Sequence, residues 1–274
     1  MSAAPLAGAT SSAVHAIATV DRRGRTHHFV LRRYVRADWL AREPDLAERE
    51  AEVLVILEAS PLPTPGLVAA DVAGDRTDVP ALLMTRLVGA PVAARDVSPG
   101  GLRLLAEVLP TMHATPVPPG ARVRSYRPYD ADQAIDVPSW STDDRLWERA
   151  IALHRADAVG SGDVLVHRDY HPGNVLFEWP SGRVSGVVDW ANASRGVPDV
   201  DVGHCRFNLI GPAGREAADA FRDAWLRASG RDAYDPTFDV LAVVGALRPW
   251  PAMLFGTEPE IERFVAVALA EIGV

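Results

Sequence analysis

The segment from Val164 to Trp190 constrains the fold of this chain more than any other part of it. It alternates short apolar runs with polar turns in the order VLVHRDYHPGNVLFEWPSGRVSGVVDW. The apolar run Val164 to Val166 predicts a short buried strand, and Pro172 with Gly173 keeps the next residues from forming a helix. The runs VLFEW and RVSGVVDW flank Pro180-Ser181-Gly182, which predicts a tight hairpin. The segment therefore predicts a strand, a polar loop and a hairpin that delivers its end back to the loop.

Three polar residues of this segment have the chemistry of phosphoryl transfer. Asp169 is a carboxylate that can orient a hydroxyl and accept its proton, and Asn174 is a neutral amide that can bind a metal ion. The predicted hairpin brings Asp189 back beside Asn174, and oxygen ligands of this kind suit Mg²⁺. The alternative is a polar turn between two core strands. A structural turn gives no reason for all of these residues to occur together, so we favour a phosphoryl-transfer site.

The same residues carry a resemblance to a known family. The motifs HRDYHPGN and VVDW, followed by GVPDVD, resemble the aminoglycoside phosphotransferase and choline kinase superfamily, which shares the two-lobed protein-kinase-like fold. The resemblance implies that Asp169 is the catalytic base and that Asn174 and Asp189 bind Mg²⁺. It also implies that His167 is a structural residue of the catalytic loop. Arg168 stands where the family usually has glycine.

A second motif follows the hairpin. Gly196, Pro198 and Asp201 match the family pattern G-x-P-x-x-D, in which the aspartate begins a helix and braces the catalytic loop. An aspartate at a helix start is equally well explained as an N-cap. Both interpretations remain open from the sequence.

Apolar periodicity divides the chain into a strand-rich front and a helical back. We expect an α+β fold with a small N-terminal antiparallel sheet lobe that holds one helix, and a larger, mainly helical C-terminal lobe. The predicted boundary separates residues 1–88, which would bind the nucleotide, from residues 89–274, which would hold the catalytic loop and the acceptor site.

The nucleotide site must work without lysine, because all 28 basic residues are arginines. The strand HHFVLRRYV matches the family strand whose lysine pairs with the phosphates, and the match puts Arg32 at the lysine position and Arg33 on the other face. In the family a glutamate of the next helix pairs with that cation. Glu50 in the apolar stripe of LAEREAEVLVILEAS matches best, with Glu48 and Glu52 as alternatives.

Other nucleotide contacts are predicted around the first and last strands of the front half. The small-residue loop that ends in Ser11 and Ser12 can cover phosphates through its amides and hydroxyls, although it also resembles a flexible terminus. After the strand ALLMTRL, Val88-Gly89 predicts a hinge. By resemblance, the backbone from Thr85 to Leu87 would bind the purine edge, and Met84 would line the pocket.

The sequence specifies the acceptor-binding part of the site less completely than the nucleotide-binding part. We interpret His113, His171 and His204 as packed structural histidines, and Cys205 as an inert core thiol. By resemblance, the acceptor wall comes from the C-terminal helices and the insertion before the catalytic loop. Its acidic and aromatic candidates are Asp219, Asp223, Asp232, Asp235, Asp239, Glu258, Glu260, Glu262, Trp140, Trp147, Trp225, Trp250 and Phe255.

Composition limits the partners. The net charge of −8 argues against nucleic acid and suits a cationic substrate. No secretion signal or apolar run of membrane-spanning length occurs, so we expect a cytoplasmic protein that is a monomer or weak homodimer.

The predicted function is transfer of the γ-phosphate of ATP or GTP, with Mg²⁺, to a hydroxyl of a small molecule. An aminoglycoside-type antibiotic is the leading acceptor. A macrolide, or a choline-like amino alcohol, homoserine or a sugar, is the alternative. A nucleotide-binding pseudokinase is the non-enzyme alternative. A protein kinase is disfavoured because VVDWANA stands in place of Asp-Phe-Gly and no Ala-Pro-Glu segment follows.

Overall fold

A computed structural model of the chain describes residues 1–6, 12–156, 162–178, 182–248, 254 and 256–274. Within these ranges the strands are β1 (Ser2–Pro5), β2 (Ala13–Val20), β3 (Thr26–Arg33), β4 (Leu67–Asp71), β5 (Ala81–Thr85), β6 (Val164–Val166), β7 (Val175–Glu178), β8 (Arg183–Val187) and β9 (Ser194–Gly196). The α-helices are α1 (Ala37–Arg42), α2 (Leu46–Leu57), α3 (Pro99–His113), α4 (Asp144–Arg155), α5 (Asp199–Ala213), α6 (Arg215–Ser229), α7 (Thr237–Ala246) and α8 (Glu258–Ile272).

The N-terminal part is built on an antiparallel sheet with the strand order β1-β2-β3-β5-β4. β2 and β3 form a hairpin, and Gly24 takes a φ of 77° in its turn. The Asp21 carboxylate accepts the backbone N–H groups of Arg23 and Arg25 and closes that turn. As the central strand, β3 pairs Arg32 with Val14 on one side and with Leu82 on the other.

Helix α2 packs beside this sheet through the predicted apolar stripe. Leu46, Val53, Leu54 and Leu57 are all buried. Glu50 shares the buried side of α2, which places a carboxylate inside the protein. The structure adds a six-residue helix, α1, just before α2, where the sequence predicted a single helix in this part.

The C-terminal part is mainly helical and contains the largest buried side chains. Helix α3 packs on α6, while α5 packs on α6, α7 and α8. Trp147, Phe221 and Trp225 are fully buried between these helices. Cys205 is buried as well, and burial raises the pKa of its thiol well above the ordinary value, in agreement with an inert core thiol.

Two small strand pairs carry the functional loop. β6 pairs with β9, and β7 pairs with β8, both antiparallel. The predicted α+β architecture with an N-terminal antiparallel sheet and a mainly helical C-terminal part is thus confirmed, while the boundary at residues 88 and 89 stays a prediction. None of the helices in the described ranges combines the length and apolar character that crossing a membrane requires.

Candidate active site

The predicted polar loop lies between β6 and β7. β6 is buried at Leu165 and Val166 and leads directly into His167, whose side chain has no exposed surface. The His167 Nε2 lies 2.9 Å from the carbonyl oxygen of Val188, and its Nδ1 accepts the backbone N–H of Asp169 at 3.3 Å. Because Nδ1 is the acceptor, a neutral His167 carries its proton on Nε2 and donates to Val188. The ring therefore ties the loop to the end of the hairpin.

Asp201 braces the same loop from α5. Its Oδ2 accepts the backbone N–H of His167 at 3.0 Å and lies 2.9 Å from the Nε2 of His113, while its Oδ1 accepts the backbone N–H of Arg168 at 2.8 Å. The helix N-cap residue is Pro198, and Asp201 lies inside the helix without exposed surface. Of the two interpretations left open by the sequence, the geometry favours the brace over the N-cap.

Arg168 has a backbone conformation that favours glycine. Its φ is 66°, in the left-handed region where a side chain is disfavoured by about 1–2 kcal/mol. The Arg168 guanidinium stacks over the rings of Tyr129 and Tyr126 at 4.4 and 5.5 Å, and its Nη2 donates to the carbonyl oxygen of Arg127 at 2.8 Å. Cation–π contacts of about 0.5–2 kcal/mol each offset the backbone strain. They also hold the segment before α4 against the catalytic loop.

The hairpin brings the two predicted metal ligands together. β7 and β8 pair Val175 with Val187, and the N–H of Val188 donates to the backbone oxygen of Asn174 at 2.9 Å. Asp189 follows at once with a φ of 67°, a sharp local turn for a residue other than glycine. The turn residues 179–181 lie outside the described residues.

Arg32 and Glu50 meet at Asp189. The Nη1 of Arg32 donates to the Oε1 of Glu50 at 3.0 Å and to the Oδ1 of Asp189 at 2.7 Å. Glu50 also accepts the hydroxyl proton of Tyr34 and, at 3.2 Å, the backbone N–H of Trp190. The buried strand cation and helix glutamate therefore form one cluster with the half-buried carboxylate of the hairpin.

The electrostatics of this cluster are dominated by burial and by the two carboxylates beside Arg32. Burial alone would lower the pKa of Arg32, but Asp189 and Glu50 hold it well above its ordinary value. Burial raises the pKa of Glu50, and the negative charge of Asp189 adds to this effect, while Arg32 opposes it. The Nε and Nη2 of Arg32 are buried and without a hydrogen-bond partner in the described part of the chain. A phosphate group would satisfy these donors.

The alternatives to Glu50 lie elsewhere. Glu48 pairs with the guanidinium of Arg122, and Glu52 accepts the backbone N–H of Arg122 at 2.8 Å. Arg124 donates to Asp45 at 2.6 Å, just before α2. Arg122 and Arg124 thus connect α2 to the segment after α3, and Glu50 is the glutamate beside Arg32.

The donor set suits Mg²⁺ bound together with phosphates. The side-chain nitrogen of Asn174 donates to the backbone oxygen of Asp169 at 2.9 Å, so its Oδ1 is the atom available to a cation. Asp189 supplies a carboxylate next to it. Mg²⁺ is usually held by one or two such groups and completed by water and substrate phosphates. No group of three or more His, Cys, Asp or Glu side chains within the described ranges could form an all-protein metal site.

Two histidines interpreted from the sequence as packed structural residues converge on Asp169 instead. The Nε2 of His204 lies 3.0 Å from the Asp169 Oδ1, and the Nε2 of His171 lies 3.7 Å from the same oxygen. Burial would raise the pKa of Asp169, but the hydrogen bond from His204 and the nearby His171 hold it well below its ordinary value. Asp169 is thus an ionised, weakly basic carboxylate. His204 follows Asp201 by three residues on one helix, a spacing that could have indicated a shared face.

In the predicted purine-binding segment, some of the backbone N–H groups already donate to other backbone groups of the N-terminal part. Met84 is buried in β5, and the N–H of Thr85 donates to Gly66 at 2.9 Å. The N–H of Arg86 donates to His28 at 3.2 Å. Of the three residues predicted to bind the purine edge, this leaves Leu87 as the one whose N–H shows no partner in the described part of the chain. Ser12 is buried before β2, and Ser11 lies outside the described residues.

Most acidic candidates for the acceptor wall accept hydrogen bonds within the described part of the protein, and Asp239 is the buried one among them. Asp239 and Asp219 both accept from Arg206, at 2.9 and 3.0 Å, and Asp223 accepts from Arg222 at 2.9 Å. Glu262 accepts the Trp147 indole N–H at 2.8 Å. Asp235 accepts the backbone N–H of Thr237 at 2.9 Å, Asp232 and Glu260 are exposed, and Glu258 begins α8 half-buried.

The aromatic candidates are mainly core residues. Trp147 and Trp225 are fully buried, and Trp140 packs edge-on against Trp147 with 5.1 Å between ring centroids. Trp250 and Phe255 lie outside the described residues. The structure therefore leaves no aromatic cage among the described candidates.

The fold places this chain in the class of kinase-like phosphotransferases. Comparison with family models gives the particular family: the chain belongs to the phosphotransferase enzyme family, whose model matches residues 2–237. The resemblance drawn from the catalytic motifs is thereby confirmed. A sequence search of curated proteins finds no match.

Solved structures share this fold at low sequence identity. A thermostable mutant of aminoglycoside phosphotransferase APH(4)-Ia, in complex with ADP and hygromycin B, is 16% identical with a TM-score of 0.64, covering 100% of this chain and 95% of that one. Macrolide 2'-phosphotransferase MphH from Brachybacterium faecium is 19% identical with a TM-score of 0.56, over 97% and 91%. An ethanolamine kinase from Plasmodium vivax is 12% identical with a TM-score of 0.61, over 100% and 82%.

Proposed function

We propose that this protein is a Mg²⁺-dependent small-molecule O-phosphotransferase that moves the γ-phosphate of ATP to a substrate hydroxyl. The proposal rests on two contacts: the side chain of Asn174 binds the backbone of Asp169, and Asp189 contacts a buried Arg32–Glu50 pair whose guanidinium has unsatisfied donors. Phosphoryl transfer depends mainly on positioning and charge neutralisation, and these groups supply both.

Asp169 would orient the acceptor hydroxyl. The acceptor oxygen forms a bond to the γ-phosphorus while the bond to the bridging oxygen of the nucleotide breaks, and the hydroxyl proton passes to Asp169. A carboxylate with a depressed pKa is a weak base, so proton transfer would follow bond formation late in a loose transition state. Positioning is then the larger contribution of Asp169.

Arg32 would hold the nucleotide phosphates through its unsatisfied nitrogens, while Glu50 fixes the guanidinium. Bound at Asn174 and Asp189, Mg²⁺ would neutralise charge on the phosphates. Residues 1–88 would bind the nucleotide, with Ser11, Ser12, Met84, Thr85 and Leu87 close to it. Residues 89–274 would bind the acceptor.

An adenine nucleotide is the favoured donor, because the related aminoglycoside phosphotransferase was crystallised with ADP. That protein also holds hygromycin B, and an aminoglycoside-type acceptor suits the net charge of −8 of this chain. GTP is the alternative donor, and the experiment below compares it with ATP.

A second class of acceptor is favoured by a specific observation. Asp219, Asp223 and Asp239 are already paired with arginine guanidinium groups, which reduces the negative charge open to a polycationic sugar. An acceptor with one or no positive charge, such as a macrolide or an amino alcohol, needs fewer carboxylates.

The experiment is a transfer screen with purified protein, Mg²⁺, and ATP or GTP. The acceptors are hygromycin B and other aminoglycosides, macrolides, choline, ethanolamine and homoserine, and the product is identified by mass spectrometry as the monophosphate. Asp169→Asn is the matched control, and we expect kcat to fall by about 10²–10⁴-fold with nucleotide affinity retained. Nucleotide binding without transfer to any acceptor would support a pseudokinase instead.

A further inference from the structure

His204 makes the closest side-chain contact to the Asp169 carboxylate. Its Nε2 lies 3.0 Å from Oδ1. An ionised carboxylate only accepts hydrogen bonds, so the Nε2 of His204 carries the proton and donates it. The contact is largely shielded from water, since the His204 side chain is 13% exposed.

Other groups hold the backbone of Asp169 and leave its carboxylate free to turn. The N–H of Asp169 donates to the Nδ1 of His167, and its backbone oxygen accepts from the side chain of Asn174. His171 lies 3.7 Å from Oδ1, beyond hydrogen-bond distance, and its Nδ1 is engaged by the N–H of Gly173 at 3.0 Å. Within the described ranges, His204 is therefore the one side chain that hydrogen-bonds this carboxylate.

The helix that carries His204 is itself fixed to the catalytic loop. Three residues earlier, Asp201 accepts the backbone N–H groups of His167 and Arg168. The ring of His204 packs edge-on against Phe207, with 6.4 Å between centroids. One rigid face of α5 thus holds both the loop backbone and the side chain of Asp169.

We propose that His204 is a positioning residue that locks the carboxylate of Asp169, so that Oδ1 is occupied and Oδ2 is presented to the acceptor hydroxyl. The proposal rests on the proposed phosphotransferase function. The terminal torsion of an aspartate is broad and two-fold, and a fixed donor on one oxygen selects one orientation. His204 acts through Asp169, and it neither touches the nucleotide nor takes the proton.

Three variants distinguish the effect of the His204 hydrogen-bond donor from the effect of its ring volume. His204→Leu removes the donor and keeps apolar bulk, while His204→Gln places an amide N–H near the position of Nε2. His204→Asn is polar but too short to reach Asp169, and it serves if the leucine variant does not fold. Steady-state kcat, the acceptor KM and the nucleotide Kd are measured with the acceptor found in the transfer screen, and thermal unfolding verifies the fold.

We expect His204→Leu and His204→Asn to lower kcat by about 100-fold, a loss typical of a misplaced reacting group, with the nucleotide Kd unchanged. His204→Gln should restore kcat to within about 5-fold of the wild type, because it restores the hydrogen bond. In an Asp169→Asn background, His204→Leu should have an effect of less than about 2-fold, since residues that act as a unit are not additive.

Wild-type kcat in a folded His204→Leu or His204→Asn variant would overturn the proposal. Equal loss in the glutamine and leucine variants would overturn it as well, because the ring volume and not the donor would then matter. If the wild type itself transfers phosphate to no acceptor, the proposed function fails and this proposal fails with it. If the wild type transfers phosphate and the His204 variants keep its kcat, only the positioning role of His204 is refuted.

Discussion

Replacing Glu50 with alanine tests the buried cluster that organises the nucleotide side of the site. The change removes the carboxylate that accepts from Arg32, Tyr34 and the backbone of Trp190. Breaking a buried ion pair from one side costs about 3–5 kcal/mol of unfolding free energy. Because Arg32 keeps its 2.7 Å bond to Asp189, we expect the lower end of this range, about 3 kcal/mol, for Glu50→Ala.

The assay is a double-mutant cycle with Arg32→Ala, Glu50→Ala and the double variant. The unfolding free energy of each protein is measured by urea denaturation. Partners that act as a unit should show an interaction energy of about 0.5–3 kcal/mol. Glu48→Ala is the matched control on the same helix, since its pair with Arg122 is open to solvent, and it should cost at most about 1 kcal/mol. In turnover, Arg32→Ala should raise the nucleotide KM and lower kcat together, and Glu50→Ala should do so more mildly.

Additivity within about 0.5 kcal/mol, together with an effect of Glu50→Ala no larger than that of Glu48→Ala, would refute this reasoning. The phosphate-binding cation would then have to be another arginine. Arg33, whose Nη2 donates to the backbone oxygen of Thr77 at 3.0 Å, would be the next to replace.

Three further predictions concern the catalytic loop and the hairpin. Asp189→Ala should abolish the Mg²⁺ dependence of nucleotide binding in calorimetric titrations, and Asn174→Ala should weaken it; unchanged titrations in both would contradict their role as ligands. Because the pKa of Asp169 is depressed in the folded state, its ionised form stabilises the fold above the ordinary aspartate pKa, and this stability is lost as the pH falls through the folded value. The difference in unfolding free energy between the wild type and Asp169→Asn should therefore begin to shrink as the pH falls below about 4 and should shrink further at lower pH, whereas a constant difference would count against the hydrogen bond from His204. Arg168→Gly should be more stable than Arg168→Ala by about 1 kcal/mol, because only the alanine keeps the strain of a positive φ; equal urea midpoints would argue against that conformation.

The sequence predicted those parts of the site that depend on local pattern. The hairpin of β7 and β8 brings Asp189 to Asn174, because strand alternation and a turn signal determine that approach. The family resemblance selected Glu50 in α2, and the apolar stripe of that helix explains why this carboxylate is buried beside a partner.

Parts that depend on tertiary packing were missed. β1 and β4 have small or exposed residues without an apolar alternation, so pairing with β2 and β5, and not propensity, makes them strands. His204 lies 35 residues after Asp169, and only the packing of α5 on the catalytic loop brings the two together. A helical pattern in the sequence does not specify against which loop the helix will pack.

The guanidinium at position 32 also has consequences for the covalent chemistry of the protein. Lysine side chains are targets of acetylation, and their pKa shifts readily when they are buried, whereas an arginine stays charged. The chain contains no lysine side chain, so neither acylation nor deprotonation of an ε-amine can remove the positive charge at the Arg32–Glu50–Asp189 cluster. Nucleotide probes that acylate the strand lysine of kinases would find no lysine amine at this site. Arginine-directed dicarbonyl reagents are the suitable chemistry for labelling it, and protection by nucleotide is the readout.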